Sequence, residues 1–159
     1  MVPGRSPAPE VRLRPPHADE AELLRAMIGA YHAEDGTPLD AGHVARVVRR
    51  LLDGEALARL WLIEAEGTVC GYLCLALGFA IEVGGGDFYV DELYVEPDRR
   101  GRGVGTRALE AAERSALTLG AVRVCLEVEA ANCDARRLYE RRGYAAHRRS
   151  LMSKRLEMG

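Results

Sequence analysis

A glycine-rich turn is the part of this sequence whose residue types point most directly to chemistry. Residues 100–106 read Arg-Gly-Arg-Gly-Val-Gly-Thr; they follow a strand-like run at residues 88–95 and open directly into a helical pattern. Backbone N–H groups at a helix N-terminus, three glycines that lack a Cβ and two arginines favour a bound anion, above all a pyrophosphate. A tight turn alone would need the glycines but not the arginines.

Two common phosphate-binding motifs do not fit this turn. A P-loop ends in Lys followed by Ser or Thr, and no lysine is present here. A dinucleotide fingerprint counted from Gly101 needs its third glycine at position 106, which is Thr106. The pattern that remains is Arg100-x-x-Gly103-x-Gly105 between a strand and a helix.

A second informative segment covers residues 132–144, Asn-Cys-Asp-Ala-Arg-Arg-Leu-Tyr-Glu-Arg-Arg-Gly-Tyr. Each feature also has a purely structural explanation. Asn132 is a good helix N-cap, Tyr139 suits the apolar face of a helix, and the arginines form a solvated face. These explanations lose weight once the segment is considered together with the anion-binding turn.

The remaining pattern predicts the elements that position these two segments. Apolar residues at helical period predict two helices early in the chain, and Asp19 with Glu22 suggests a capping box for the first. Residues 32–40 read as an acidic loop. Glycine turns join three strands that should be antiparallel, and the later strand–helix–strand order predicts a parallel crossover. The predicted strands are residues 11–14, 59–64, 69–80, 87–95, 122–128, 144–147 and 150–156.

Composition limits the class of protein. The chain has 159 residues, 48% hydrophobic and 29% charged, with a net charge of −2, so we expect one globular domain without a global attraction to nucleic acid. No apolar run approaches the length of a membrane span. Residues 1–9 read as a disordered lead-in, and residues 10–159 as a single domain. The four cysteines match no zinc or redox spacing, which favours a reducing cytoplasm.

Taken together, the two segments resemble the GNAT superfamily of acetyl-CoA-dependent N-acetyltransferases. The resemblance is carried by Arg100-x-x-Gly103-x-Gly105 after its strand, then Asn132-x-x-Ala135-x-x-Leu138-Tyr139, then Gly143-Tyr144. It covers residues 10–157, because the order of elements also agrees. It implies an α/β (α+β) fold with a mixed, mostly antiparallel central sheet, a parallel, splayed pair formed by its fourth and fifth strands, and about four flanking helices.

The resemblance also implies a site for acetyl-CoA as co-substrate, and no metal. The pantetheine arm would lie in the gap between the splayed strands and pair with one of them as an added strand, and the pyrophosphate would lie on the glycine-rich turn. The implied cofactor-binding residues are Leu93, Tyr94, Val95, Arg100, Gly101, Arg102, Gly103, Val104, Gly105, Thr106, Asn132 and Tyr139.

The implied reaction is direct attack of an amine on the thioester. The amine must first lose a proton, and Asp91 or Glu92 is the candidate base, acting directly or through water. Because strand side chains alternate, we expect the two on opposite faces, with Glu92 slightly favoured. A backbone N–H near Val95 would stabilise the oxyanion, and Tyr139 would return a proton to the departing thiolate.

The acceptor is less well indicated by the sequence. Glu34, Asp35 and Asp40 would suit a small cationic amine, although an ordinary polar loop explains them equally well. Two alternatives stay open: a protein or peptide N-acetyltransferase, and a non-catalytic regulatory module that binds acetyl-CoA. A homodimer paired through residues 150–156 is compatible with the resemblance.

Overall fold

The computed structural model describes residues 9–156. The predicted disordered lead-in therefore lies, apart from residue 9, outside the described residues. The chain divides into two compact units, one that runs to Glu127 and one that starts at Val128. Each is described by itself.

The first unit is built on a six-stranded mixed sheet. Its order is β1-β2-β3-β5-β4, with β6 paired to β5. The β5–β6 pair is parallel and every other pair is antiparallel. This confirms the predicted fold class. The parallel pair is formed by the fifth and sixth strands and not by the fourth and fifth, because the structure contains a short β4 that the sequence does not predict. The strands are β1 Val11–Arg14, β2 Ala58–Ala65, β3 Thr68–Ala76, β4 Phe79–Ala80, β5 Gly85–Val95 and β6 Ala121–Leu126.

Helices supply the apolar layers that pack on this sheet. They are α1 Ala21–Glu34, α2 Ala41–Leu52 and α3 Val104–Thr118 in the first unit, and α4 Cys133–Arg141 in the second. Leu24 of α1 and Val48 of α2 are completely buried in one cluster with Tyr72 of β3. The buried stripe of α3 consists mainly of alanines, whose small size lets the helix lie close to its neighbours β1, β5 and β6.

The start and end of α1 differ from the prediction. A 3-10 turn, Ala18–Glu20, precedes the helix, and the His17 N–H donates to the Glu20 carboxylate at 2.7 Å. The capping contact therefore lies two residues earlier than the Asp19–Glu22 pair. The helix continues to Glu34, so His32 and Glu34 belong to its last turn and not to an acidic loop.

Three predicted strands also need correction. The run at residues 69–80 is two strands, since β3 ends at Ala76 and β4 pairs with the start of β5. Residues 144–147 and 150–156 form no strand in the structure. Their apolar side chains do not become buried, and Leu151 and Met152 are 71% and 91% exposed. Without a partner strand or an apolar surface to cover, a β-prone run gains little from extending.

Gly71 controls how closely β3 approaches β5. A Cβ at this position would lie 2.1 Å from the Tyr94 carbonyl oxygen. We therefore expect Gly71→Ala to force the two strands apart and to lower the free energy of unfolding by about 1–3 kcal/mol, measured in urea. Gly29→Ala is the matched control, because a Cβ there meets nothing within 4 Å on helix α1. It should raise the free energy of unfolding by up to about 1 kcal/mol, and destabilisation by both variants would contradict the argument.

Candidate active site

The parallel pair β5–β6 opens partway along its length. Pairing runs from Gly86–Ala121 to Val90–Leu126, and β6 ends there, whereas β5 continues to Val95. Along residues 91–95, β3 is the only partner strand of β5 among the described residues. The predicted divergence of the two strands is confirmed, and it leaves one edge of β5 unpaired just before the glycine-rich turn.

The direction of the backbone groups along this edge follows from the β3–β5 ladder. The Glu96 N–H donates to the Cys70 carbonyl at 2.8 Å. Because an antiparallel ladder alternates its bonded pairs, the backbone groups of Tyr94 point to β3, and those of Leu93 and Val95 point to the open edge. The Val95 carbonyl already accepts a hydrogen bond from Arg100 Nε at 2.7 Å.

The glycine-rich turn begins α3 without a side-chain cap. Gly101 and Gly103 have φ of +74° and +84°, a conformation that L side chains adopt at a cost, and Gly103 is the N-cap. The Arg107 N–H donates to the Gly103 carbonyl at 3.0 Å. The N–H groups before it have no intrahelical acceptor, and a glycine cap has no side chain to offer them. A set of free amide donors therefore faces outward at the positive end of a helix.

Arg100 links this turn to α1. Its Nη2 donates to Glu34 at 2.8 Å, and its guanidinium carbon lies 5.5 Å from the centre of the Tyr94 ring. Together with its hydrogen bond to Val95, the Arg100 side chain connects the last helical turn of α1, the end of β5 and the start of the glycine-rich turn. Glu34, expected to attract an amine, is thus already an ion-pair partner.

A β-bulge lies between the two candidate bases. Cys74 faces Glu92 and Leu75 faces Val90, so Asp91 is an extra residue on β5. A bulge interrupts the regular alternation on which the predicted placement of Asp91 and Glu92 on opposite faces depends. Burial, followed by the charges of Asp91 and Glu92, raises the pKa of the Cys74 thiol to about 12. Both carboxylates therefore act electrostatically on the same thiol.

Glu92 belongs to a polar network that joins β5 to α1 and β3. One carboxylate oxygen lies 2.7 Å from His32 Nε2, and the other accepts a hydrogen bond from the Tyr72 hydroxyl at 2.6 Å. His32 Nδ1 lies 3.1 Å from the Thr37 hydroxyl. Burial, then the charge of Glu92, raises the pKa of Tyr72 well above its usual value, so the phenol remains the donor.

Asp91 has a different environment. The structure shows no hydrogen bond from its side chain to any of residues 9–156, and the residue is exposed. Although the residue as a whole is exposed, partial loss of water around the carboxylate is the main cause that raises its pKa. The charges of Glu92 and Glu127 add to this effect, whereas His32 acts in the opposite direction. Asp91 is therefore a better proton acceptor than an ordinary aspartate.

The second unit contains the other two predicted site residues. Asn132 caps α4, and its side-chain oxygen accepts from the Ala135 N–H at 3.1 Å. The Tyr139 ring packs edge to face on Tyr144, with ring centres 5.9 Å apart, and burial raises its pKa. Gly143 ends the helix with φ of +91°. The structural explanation of Asn132 is confirmed, and its role toward pantetheine stays a prediction.

Comparison with known proteins decides the family. The model of the acetyltransferase (GNAT) family matches residues 23–144. The chain is a GNAT family member. No curated protein matches the sequence significantly.

Solved structures share the fold of this chain. An integron cassette protein from the mobile metagenome of Cole Harbour Salt Marsh is 29% identical, with a TM-score of 0.78 over 98% of this chain and 95% of that one. Two others are similar in fold. A ribosomal-protein-alanine N-acetyltransferase from Brucella melitensis biovar Abortus has 21% identity and a TM-score of 0.71, covering 94% of this chain and 100% of that one. A predicted acetyltransferase from Clostridium acetobutylicum, solved with acetyl-CoA, has 18% identity and a TM-score of 0.73, covering 91% and 96%.

Membership in the GNAT family implies acyltransferase activity with acetyl-CoA as the acyl donor. Among residues 9–156, no three His, Cys, Asp or Glu side chains are grouped so as to hold a metal ion. Within the same residues, no helix combines the length and the apolar character that crossing a bilayer requires.

His32 is the site residue that sequence reasoning missed. The sequence pattern places it in the acidic loop, whereas the structure brings it to Glu92, 60 positions away in the chain. The sequence does contain a local signal for this position. If the helical period that includes Tyr31 is extended by one turn, His32 falls on α1. The contact itself depends on how α1 packs against β5, which periodicity does not report.

Proposed function

We propose that this GNAT protein transfers an acetyl group from acetyl-CoA to the primary amine of a small cationic molecule, by direct attack in a ternary complex. The observation that carries the proposal is the unpaired edge of β5, which leads directly into an uncapped, glycine-rich helix N-terminus. An extended amide-bearing arm pairs with an open strand edge, and a pyrophosphate suits free amides at a helix start.

Each end of this arrangement would bind one part of acetyl-CoA. The pyrophosphate would accept hydrogen bonds from amides within residues 101–106, where Gly103 leaves room for close approach. The helix dipole adds about 0.3–1 kcal/mol for an exposed charge. The pantetheine amides would pair with Leu93 and Val95, whose backbone groups point outward. Tyr94 would contribute through its ring, on which Arg100 lies.

The reaction needs a proton acceptor, an oxyanion donor and a proton donor. A carboxylate of β5, Asp91 or Glu92, takes one proton from the ammonium form of the substrate. The amine nitrogen attacks the thioester carbon, a C–N bond forms, and the C–S bond breaks. The second amine proton passes to solvent, and the thiolate takes a proton from Tyr139. Tyr139 then regains a proton from solvent, and the β5 carboxyl group releases the proton that it took. The sum is an amide, free CoA thiol and one released proton.

The chemistry available to Tyr139 follows from its own environment. Burial raises its pKa, so the phenol is protonated at neutral pH and is able to donate. Its place in the reaction rests on the family resemblance. The backbone N–H of Val95 points to the open edge of β5, which suits it as the donor to the developing oxyanion.

The charge of the acceptor is inferred from the carboxylates around the end of α1. Glu34 is paired with Arg100, and Asp40 caps α2 through the His43 N–H at 2.9 Å. Asp35 and Asp91 have no hydrogen-bonding side-chain partner in the structure of residues 9–156. Their negative charge favours a cationic amine. A peptide N-terminus is the second candidate, because one protein of the same fold is a ribosomal-protein-alanine N-acetyltransferase.

A turnover screen tests the function. Purified protein with acetyl-CoA is mixed with polyamines, aminoglycosides, amino acids and peptides, and thiol release is followed with a thiol reagent. We expect amine-dependent release that is fastest with a small diamine or polyamine. Fastest release with peptides would support the second candidate. Acetyl-CoA binding in calorimetry without release for any amine would instead support a non-catalytic module.

A further inference from the structure

The transfer reaction proposed above leaves open which carboxylate of β5 accepts the amine proton. We propose that Asp91 accepts it, and that Glu92 is a positioning residue that holds the end of α1 against the sheet. This inference rests on the proposed function. It reverses the preference that the sequence alone suggested.

The hydrogen bonds of Glu92 occupy both of its oxygens. Oε1 lies 2.7 Å from His32 Nε2, and Oε2 accepts from the Tyr72 hydroxyl at 2.6 Å. The Glu92 and His32 side chains are only 19% and 18% exposed, and Tyr72 is fully buried. A proton added to Glu92 would compete with one of these short bonds, and the lost bond would leave a buried polar group unpaired.

The partners of Glu92 are themselves fixed, which marks the network as structural. The His32 ring lies between Glu92 and the Thr37 hydroxyl, on the segment that follows α1. Tyr31 packs edge-on against His32 and Tyr72, with ring centres 5.1 and 6.5 Å apart. The network thus ties α1 to β3 and β5 through one carboxylate.

Asp91 lies where the two parallel strands separate. The last β5–β6 pair is Val90–Leu126, and the next residue of β5 is the extra residue of the bulge. Asp91 is exposed and has no hydrogen-bonded partner in the structure of residues 9–156. A bulge re-aims a side chain and often lies next to an active site.

The path of the acyl donor along β5 also leads to Asp91. From the glycine-rich turn, an arm that pairs with Val95 and then Leu93 runs toward the bulge that contains Asp91. At about 3.3 Å per residue, the distance from Val95 to Asp91 is about 13 Å. The acyl end of the arm would therefore arrive beside the bulge, where the exposed Asp91 lies.

Four ionisable groups interact electrostatically with Asp91, and any pH experiment must distinguish their titration from that of Asp91. They are Glu92 on β5, His32 on α1, Glu127 after β6 and Cys74 on β3. The raised pKa of Asp91 agrees with the assignment, because a general base works best when its pKa approaches the working pH. Activity should then fall as the pH drops through that pKa, since a protonated carboxyl accepts no proton.

The test compares Asp91→Asn with Glu92→Gln, using the best acceptor of the turnover screen. We expect Asp91→Asn to lower kcat/KM about 100-fold and to remove the loss of activity at low pH, with acetyl-CoA affinity unchanged in calorimetry. Glu92→Gln should keep the low-pH loss and raise the KM of the amine about tenfold. Two results would overturn the proposal. One is Asp91→Asn activity within threefold of the wild type, and the other is a Glu92→Gln variant whose activity no longer falls at low pH.

His32 provides the rescue experiment for a positioning role. His32→Ala should raise the amine KM as Glu92→Gln does, and His32→Gln, which keeps a donor for Glu92, should restore most of it. The activity of both variants should still fall at low pH. If the activity of His32→Gln no longer falls at low pH, the histidine and not Asp91 is the titrating group, and the proposal is wrong.

Thermal unfolding tests the assignment without any turnover. Glu92→Gln should lower Tm by about 5 °C, because an NH2 group, which cannot accept a hydrogen bond, replaces one of the two carboxylate oxygens. Asp91→Asn should leave Tm unchanged or raise it, because a raised pKa means that the ionised carboxylate is disfavoured in the folded state. The opposite order of Tm values would overturn the proposal. A wild-type protein without amine-dependent thiol release would count against the proposed function alone.

Discussion

Gly103→Ala is expected to weaken acetyl-CoA binding roughly 100-fold while the protein stays folded. The added Cβ meets nothing within 4 Å in the chain, so the space that it fills is open to a ligand. A pyrophosphate pushed back from the amides would lose one or two charge-assisted hydrogen bonds, at about 1.5–3 kcal/mol each. Calorimetric titration with acetyl-CoA measures the loss.

The control for this variant lies at the other end of the same helix. Gly120 has φ of +91° against +84° for Gly103, and a Cβ at either position meets nothing within 4 Å. Gly120→Ala should therefore cost the same stability, about 1–2 kcal/mol for a left-handed L residue, with full acetyl-CoA affinity. If the two variants bind acetyl-CoA equally well, the pyrophosphate does not lie on the turn.

Tyr139→Phe is expected to lower kcat about 1000-fold with little change in the affinity for acetyl-CoA. The ring and its edge-to-face contact with Tyr144 are kept, and only the phenolic hydroxyl is removed. Without that donor the departing thiolate must find its proton in water, and a positioned acid contributes about 10²–10⁴-fold. Single-turnover kinetics together with calorimetry separate the two effects.

Tyr144→Phe is the matched control, since it removes a hydroxyl from the partner ring of the same pair. It should leave kcat within a few-fold of the wild type. Wild-type turnover by Tyr139→Phe would remove Tyr139 from the chemistry, and equal losses in the two variants would point to damage of the second unit.

Much of the fold was readable from the sequence because its signals are local. The amphipathic period defined α2 and α3, the alternation of apolar residues defined β1, β2 and β6 to within two residues, and Asn132 marked the start of α4. Errors arose where a local preference depended on a partner. The end of α1, the division of residues 69–80 and the lack of strands after Tyr144 each depend on what the segment packs against.

For the candidate site, the sequence by itself determined the glycine-rich turn at the start of α3, because its glycines and the start of α3 are neighbours in the chain. Only the tertiary structure decided the relation of the two β5 carboxylates. Their environments depend on a bulge opposite β3 and on the packing of His32, 60 positions away, against Glu92. A bulge reflects the registers of two strands at once, and a long-range hydrogen bond has no period, so neither is encoded in the spacing of residues along one segment.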